Sequence, residues 1–438
     1  MKEILKQLII DFHQLQLPDV IPRELDFPKL PTQVRKAYAL IGMRRSGKTW
    51  AMYQQMQALM QQGIRKEKLV YINFEDDRLS AMTANDLKYV VEAYDELYPQ
   101  FIHDPEVCFF LDEIQEISGW EKFIRRLLDT EKMTLYLSGS SAKMLSQEIA
   151  TSLRGRVISR EIFPFSFYEY LRFKNSAFEQ PSSKQKAVMK HHLNTYLRLG
   201  GFPETVYLPE GLHRELLQSY IESVVYRDIV ERYKLTNVNA VKHLLTHCLK
   251  NSATSLSINK IYNAFKSRGN AISKNSLYDF MSYFEDAYCI FNVPAYVFAD
   301  RKASLKPKKI YVVDPGLVTA YTLKEAFEAS IRLETVVFVH LRRQTQNIFY
   351  YSTHKGKEID FLTLTTAGKM QMYQVTMSLS NAETAAREFA ALEEAMQELN
   401  VKTATLVVLE GDAKVVKTSY GKIKIVPLMD FLLSNTHK

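Results

Sequence analysis

Apolar positions Ile4, Leu5, Leu8, Ile9, Phe12 and Leu15 recur at three- and four-residue spacing, which predicts an amphipathic helix over 3–16. Pro18, Pro22, Pro28 and Pro31 follow; each fixes φ and removes an amide donor, so an extended lead-in is expected. From Lys36 short apolar runs alternate with helix-period segments. Strands are expected at 38–41, 69–74, 107–111 and 134–137, and helices at 49–62 (stopped by Gly63), 85–97 and 120–128. This alternation argues for a parallel sheet covered on both faces.

After Arg160 the pattern changes. Residues 166–233 read as mostly helical, broken at Gly200-Gly201-Phe202-Pro203. Residues 238–300 read as three short helices and a strand at 289–297. A helix at 325–343, strands at 348–351, 359–364 and 370–377, a helix at 383–399 and a strand at 403–409 complete the chain. There is no internal repeat, and 15 Gly and 14 Pro are too few for long flexible linkers.

A hydrophobic fraction of 46% excludes a disordered chain, and no apolar run approaches the ~18 residues of a membrane span. Asp11 and His13 interrupt the apolar N-terminus and no small-residue cleavage site follows, so no secretory signal is expected. Cys108, Cys248 and Cys289 lack CxxC spacing, which excludes a disulfide framework and a cysteine zinc site; a cytoplasmic, reduced protein is expected. The net charge of +8 is concentrated. No Asp or Glu occurs from Arg232 to Leu277, and the window 238–310 holds eleven basic and four acidic residues. Such a concentration points to a polyanionic partner.

Gly42-Met43-Arg44-Arg45-Ser46-Gly47-Lys48-Thr49 fits G-x-x-x-x-G-K-[ST] between an expected strand and helix. Glycines let successive N–H groups converge on an anion, and the helix N-terminus adds partial positive charge. Lys48 should reach the β- and γ-phosphates of a nucleotide, and the Thr49 hydroxyl should sit on Mg²⁺. The apolar run 108–111 ends in Asp112-Glu113, 64 residues after Lys48 for Asp112. That strand could run beside the one feeding the loop, with Asp112 binding Mg²⁺ through water and Glu113 polarising the attacking water. Ser140 and Ser141, after the next strand, are both candidates to sense the γ-phosphate. Arg156, and second Arg154, could neutralise charge on the transferring phosphoryl; acting in trans, either would require a ring of subunits.

The chain resembles the AAA-type ATPases of bacteria and archaea that carry a C-terminal domain of unknown function. GMRRSGKT, YINFEDDRL, FFLDEIQ, SGSSAKML, LRGR and YLRLGGFP carry the resemblance, with KNSLYDFMSYFEDAYCIFNV, IYVVDPGL and GKEIDF in the C-terminal half. The resemblance covers about residues 35 to 410. It implies an α/β fold: a P-loop AAA-type parallel-sheet core, a helical lid, a winged-helix-like segment and a degenerate PD-(D/E)XK nuclease-like C-terminal domain. The expected divisions are 1–34 for the N-terminal helix and lead-in, 35–165 core, 166–236 lid, 237–318 winged-helix-like and 319–438 nuclease-like.

In the middle segment, 257–267 reads as one helix, Gly269-Asn270 as a turn, and Ser273 as the N-cap of a second helix. Its exposed face would offer Lys274, Asn275 and Tyr278, flanked by Lys260, Lys266 and Arg268, for contact with phosphates and base edges. His243 and His247 have metal-site spacing but no nearby acidic partner, and are expected to be a polar helix face. In the tail, Glu334 and Asp360 match two metal-binding positions of the nuclease-like pattern. Gln374 and Thr376 stand where its Glu and Lys belong, so no nuclease activity is expected.

Together these readings predict a Mg²⁺-dependent ATPase that couples hydrolysis to remodelling or translocation of nucleic acid, branched or duplex DNA foremost. Self-association into a ring, with a hexamer expected, and no membrane association go with it. The alternative is a nucleotide-switched protein-binding module with slow turnover and no motor activity; Glu113 favours hydrolysis.

Overall fold

A computed structural model describes all residues except 32, 141–152, 154, 269–271, 298–305, 323–324, 366–367 and 435–438. The chain divides into two units: Met1–Phe163 with Asp286–Tyr288, and Pro164–Glu285 with Cys289–Lys438. Among the described residues no helix is long and apolar enough to cross a membrane.

The first unit opens with helix α1 (Lys2–Gln14), which buries Leu5, Ile9 and Phe12 along one stripe. Phe12 enters the same apolar cluster as Tyr38, Leu40, Met52 and Tyr136, so the helix is fastened to the sheet layer. His13 anchors its end through the Leu69 carbonyl (2.9 Å) and the Tyr98 hydroxyl (2.7 Å). Five parallel strands follow: β1 (Ala37–Ile41), β2 (Leu69–Asn73), β3 (Cys108–Asp112), β4 (Thr134–Gly139) and β5 (Val157–Glu161). Helices α2 (Lys48–Gln61), α3 (Lys88–Leu97) and α4 (Trp120–Thr130) alternate with them. Every residue of β1 and β3 is buried, as a sheet with two covered faces requires.

The strand order is β2-β3-β4-β1-β5. The expectation that the Asp112 strand runs beside the loop-feeding strand is therefore corrected: β4 lies between them, pairing with β3 on one side and β1 on the other. Periodicity predicts that a strand exists but not its neighbours. Five of the six residues of β4 are buried, which suits the central place. Strand β5 is only half-buried and carries no apolar run, so its sequence does not announce it.

The second unit begins with α5 (Phe167–Phe173), α6 (Ser183–Leu199) and α7 (Glu210–Ser223). Helices α8 (Val238–Lys250), α9 (Ile258–Ser267) and α10 (Lys274–Asp286) follow, with a small antiparallel sheet. Its strands are β6 (Thr254–Leu256), β7 (Ile290–Val293) and β8 (Lys308–Val312), ordered β6-β8-β7. Ser273 caps α10 by accepting the Ser276 N–H at 3.0 Å. After α11 (Pro315–Tyr321) and α12 (Glu325–Arg342) comes a six-stranded mixed sheet. It comprises β9 (Ile348–Ser352), β10 (Glu358–Leu364), β11 (Met370–Ser378), β12 (Thr403–Glu410), β13 (Lys414–Lys417) and β14 (Lys422–Pro427), ordered β13-β14-β12-β11-β10-β9. Helices α13 (Ala382–Glu398) and α14 (Leu428–Leu433) accompany it.

The Gly200-Gly201 break and the Asp314-Pro315-Gly316 turn fold onto each other. Asp314 accepts the Gly201 and Gly316 N–H groups, each at 2.8 Å. A Cβ on Gly200 would stand 1.8 Å from Asp314 Oδ1, and one on Gly316 would stand 2.3 Å from the Leu199 carbonyl oxygen, so neither site admits a side chain. Burial pushes the Asp314 carboxyl up to about 7 despite both N–H donors.

Candidate nucleotide site

The loop from Gly42 to Gly47 joins β1 to α2 at the C-terminal edge of the sheet, where ligand sites of parallel sheets form. Its turn uses left-handed backbone at Arg45 (φ +66°) and Gly47 (φ +96°). Gly42 is required by close approach: a Cβ there would lie 2.1 Å from the Ile162 carbonyl oxygen. The Ser46 hydroxyl is buried with no hydrogen-bond partner among the described residues. Such an orphan inside an amide loop fits a phosphate oxygen. Arg44 pairs with Glu75 at 2.8 Å, while Arg45 is exposed.

Lys48 is buried, with Nζ 3.4 Å from Glu113 Oε1 and hydrogen-bonded to the Gly42 and Met43 carbonyls at 3.3 and 3.4 Å. In the next position the Thr49 hydroxyl donates to Asp112 Oδ2 at 2.8 Å. The Tyr71 hydroxyl donates to the same oxygen, also at 2.8 Å. Ser138, on the intervening strand β4, donates to Asp112 Oδ1 and accepts the Glu113 N–H at 3.0 Å. Gln115 donates to Glu113 Oε2, and its own Oε1 is buried with no partner among the described residues. Glu113 has a left-handed backbone (φ +51°), a conformation costly for a non-glycine residue and concentrated at functional sites.

The two neighbouring carboxyls diverge in acidity. Burial, reinforced by Glu113, pushes Asp112 up, and the Ser138, Thr49 and Tyr71 hydroxyls offset this only in part. Burial also acts upward on Glu113, but the Lys48 ammonium and the Gln115 amide override it and hold Glu113 below the usual carboxylate range. Glu113 is thus a fixed anion at neutral pH. Thr49 and Asp112 offer hard oxygen donors, a set that fits Mg²⁺.

The structure brings Gly42, Ser46, Gly47, Lys48, Thr49, Asp112 and Glu113 together. Ser140 is buried just beyond β4, while Ser141 and Arg154 lie outside the described residues. Arg156 is not near the loop. Its carbonyl accepts the Ala37 N–H (2.9 Å), which puts it at the opposite end of β1, and its guanidinium pairs with Asp129. The five-residue strand between the two ends spans roughly 16 Å. Sequence reasoning missed Ser138, Tyr71, Gln115 and Arg23. Arg23, from the lead-in, donates to the Ser46 carbonyl at 3.0 Å and to the Phe163 carbonyl, bracing the loop from behind. The SGSS and FFLDEIQ stretches contain Ser138 and Gln115, so both were within reach of the motifs; nothing in the sequence marks Arg23.

In the second unit Lys260, Lys266, Arg268, Lys274 and Asn275 are all exposed, and the Lys274 ammonium lies 5.3 Å from the Tyr262 ring centre. His243, His247, Asn251, Ser257, Lys260 and Arg268 line a groove of about 390 Å³, and none of its lining residues is acidic. Among the described residues no group of three or more His, Cys, Asp or Glu is arranged to hold a metal ion, so the two histidines have no such partners.

Residues 34–171 match the AAA domain family. Residues 190–328 and 331–431 match two domains of unknown function, DUF8612 and DUF4143. Among solved structures, the Walker-type ATPase PABY2304 of Pyrococcus abyssi is similar at 15% identity over 74% of this chain and 96% of that one, with a TM-score of 0.41. An uncharacterized protein of Haemophilus influenzae is 30% identical over 73% of this chain and 78% of its own. The uncharacterized protein MJ1544 of Methanocaldococcus jannaschii is 33% identical over 99% of this chain and 96% of its own. With that identity maintained along nearly the whole of both chains, this chain belongs to the same family as the M. jannaschii protein and carries an AAA-type P-loop ATPase domain.

Proposed function

We propose that the chain is a Mg²⁺-dependent ATPase whose hydrolysis cycle remodels or translocates nucleic acid, with branched or duplex DNA as its target. One observation carries the hydrolytic part: Glu113, ionised and held by Lys48, Gln115 and Ser138, stands beside the Asp112–Thr49 pair at the mouth of the phosphate loop. Lys48, the loop amides and the Ser46 hydroxyl would bind the β- and γ-phosphates. Glu113 would draw the proton from the attacking water, oriented with the help of Gln115. Thr49 and, through water, Asp112 would hold Mg²⁺, which would supply neutralisation of phosphate charge. Ser140 or Ser141 would sense the γ-phosphate. Arg156 or Arg154 would complete a neighbour's site in a hexameric ring; the remoteness of Arg156 from its own loop supports a role in trans.

The nucleic-acid part rests on the exposed basic side chains of the stretch from Arg232 to Leu277, which contains no Asp or Glu. The order helix, strand, two helices, two strands across 238–312 supports a winged-helix-like reading of this segment, between a helical lid at 166–236 and a nuclease-like domain at 319–438. Lys260, Lys266, Arg268, Lys274 and Asn275 would contact backbone phosphates and base edges. The C-terminal domain is read as catalytically silent; metal-dependent DNA or RNA cleavage lost on Asp360→Ala would overturn that. The test of the whole is ATP turnover with and without single-stranded, duplex and branched DNA. Stimulation by DNA is expected. Slow, DNA-indifferent turnover with ATP-dependent capture of a protein would instead establish the nucleotide-switched module.

A further inference from the structure

Three carboxylates of the C-terminal region converge on one buried ammonium: Glu334 of α12, half-buried, Asp360 of β10, buried, and Glu358 at the exposed start of β10. The ammonium comes from another sheet. Lys309 of β8 is 4% exposed, and its Nζ lies 2.7 Å from Glu358 Oε1, 3.2 Å from Glu334 Oε1 and 3.4 Å from Asp360 Oδ1. Of the remaining acceptor capacity, much is already used. The Tyr311 hydroxyl donates to Glu334 Oε1 at 2.6 Å, and the Val375 N–H donates to Asp360 Oδ2 at 2.9 Å. Gln374, at the position of the nuclease-like glutamate, accepts the Asp360 N–H at 3.2 Å and donates to Glu388 at 2.9 Å.

The resemblance to PD-(D/E)XK folds implies a divalent metal at this place, and the residues present do not fit one. A hard divalent ion needs about six oxygens at 2.0–2.6 Å. Here the carboxylate oxygens converge on an ammonium at nitrogen–oxygen spacing, and the glutamate position is a neutral amide already bonded on both ends. An ammonium and a divalent ion within one carboxylate cluster would repel each other strongly in so buried a place. We propose that Lys309 is the resident cation of this centre: its ammonium occupies the place of a metal and locks the small β6-β8-β7 sheet to the C-terminal sheet. The cluster then serves as a charged joint that no metal can load while Lys309 stays in place. This goes beyond the ATPase reading and does not depend on it.

The test is Mn²⁺ binding, followed by electron paramagnetic resonance, to the nucleotide-free full-length chain carrying Asp112→Asn to remove the loop site. No Mn²⁺ site sensitive to Asp360→Asn is expected. Adding Lys309→Ala should create one Mn²⁺ site per chain, abolished by Asp360→Asn, and Mn²⁺ should restore melting temperature lost in that variant. Lys309→Met, of similar length, replaces Lys309→Ala if the latter fails to fold. An Asp360-dependent Mn²⁺ site in the presence of Lys309, or a folded Lys309 variant that gains none, overturns the proposal.

Discussion

The hydroxyl of Thr49 donates to Asp112 Oδ2 across 2.8 Å, joining the first turn of α2 to the end of β3 although β4 separates their strands. Ser138 bridges the gap that β4 opens, touching both Asp112 and Glu113. Three strand ends therefore build one site, and Lys48 closes it by pairing with Glu113 at 3.4 Å.

Lys48→Ala should remove nucleotide binding. It deletes the buried ammonium that faces Glu113 and leaves that carboxylate uncompensated against an incoming phosphate. A fluorescent ATP analogue should lose affinity by about a hundredfold or more. Unchanged affinity would place the phosphates elsewhere.

Asp314 couples the stability of the second unit to pH. Its carboxyl is pushed from 3.8 up to about 7, mainly by burial. Between those values the folded chain keeps a proton that the unfolded chain releases, so this contribution to stability is complete below the unfolded value and is lost as pH rises through about 7. The urea midpoint should be higher at about pH 5.5 than at about pH 8, and Asp314→Asn should flatten the difference. An unchanged slope in Asp314→Asn would assign it to other groups.

Much of the nucleotide site is legible in the sequence because phosphate chemistry constrains it tightly. A loop of amides needs glycine at Gly42 and Gly47, and hard-cation chemistry needs the hydroxyl of Thr49 and the carboxylate of Asp112. Strand order is not legible: the run 134–137 announces a strand, but nothing in it says that it inserts between β1 and β3. Sequence reasoning therefore points to Ser140 and Ser141 and passes over Ser138, two or three residues earlier. Tyr71, Arg23 and Lys309 escape for a related reason. Each acts through a partner 23 to 140 residues away, and such pairings carry no local periodicity.

Arg23→Ala tests the brace behind the loop. The buried guanidinium donates to the Ser46 and Phe163 carbonyls, and the variant loses both bonds. Losing such bonds costs about 1–3 kcal/mol. KM for ATP should rise severalfold with a smaller change in kcat, since loop geometry and not the proton-accepting carboxylate is disturbed. A fall in kcat alone would contradict the assignment.

The joint alanine variant of Lys260, Lys266, Arg268 and Lys274 should weaken DNA binding without changing ATP turnover in the absence of DNA. The slope of log affinity against log salt should flatten by about one for each phosphate that is no longer neutralised. DNA affinity retained in this variant would move the DNA-binding surface elsewhere.

Glu113→Gln probes the hydrolytic claim most directly. The substitution keeps size and shape but turns one accepting oxygen into an N–H donor and removes the anion that Lys48 and Gln115 stabilise. Single-turnover hydrolysis of bound ATP should slow by about 10²–10⁴-fold, with ATP affinity held within a few-fold. A Glu113→Gln chain that hydrolyses ATP at the wild-type rate would contradict the account.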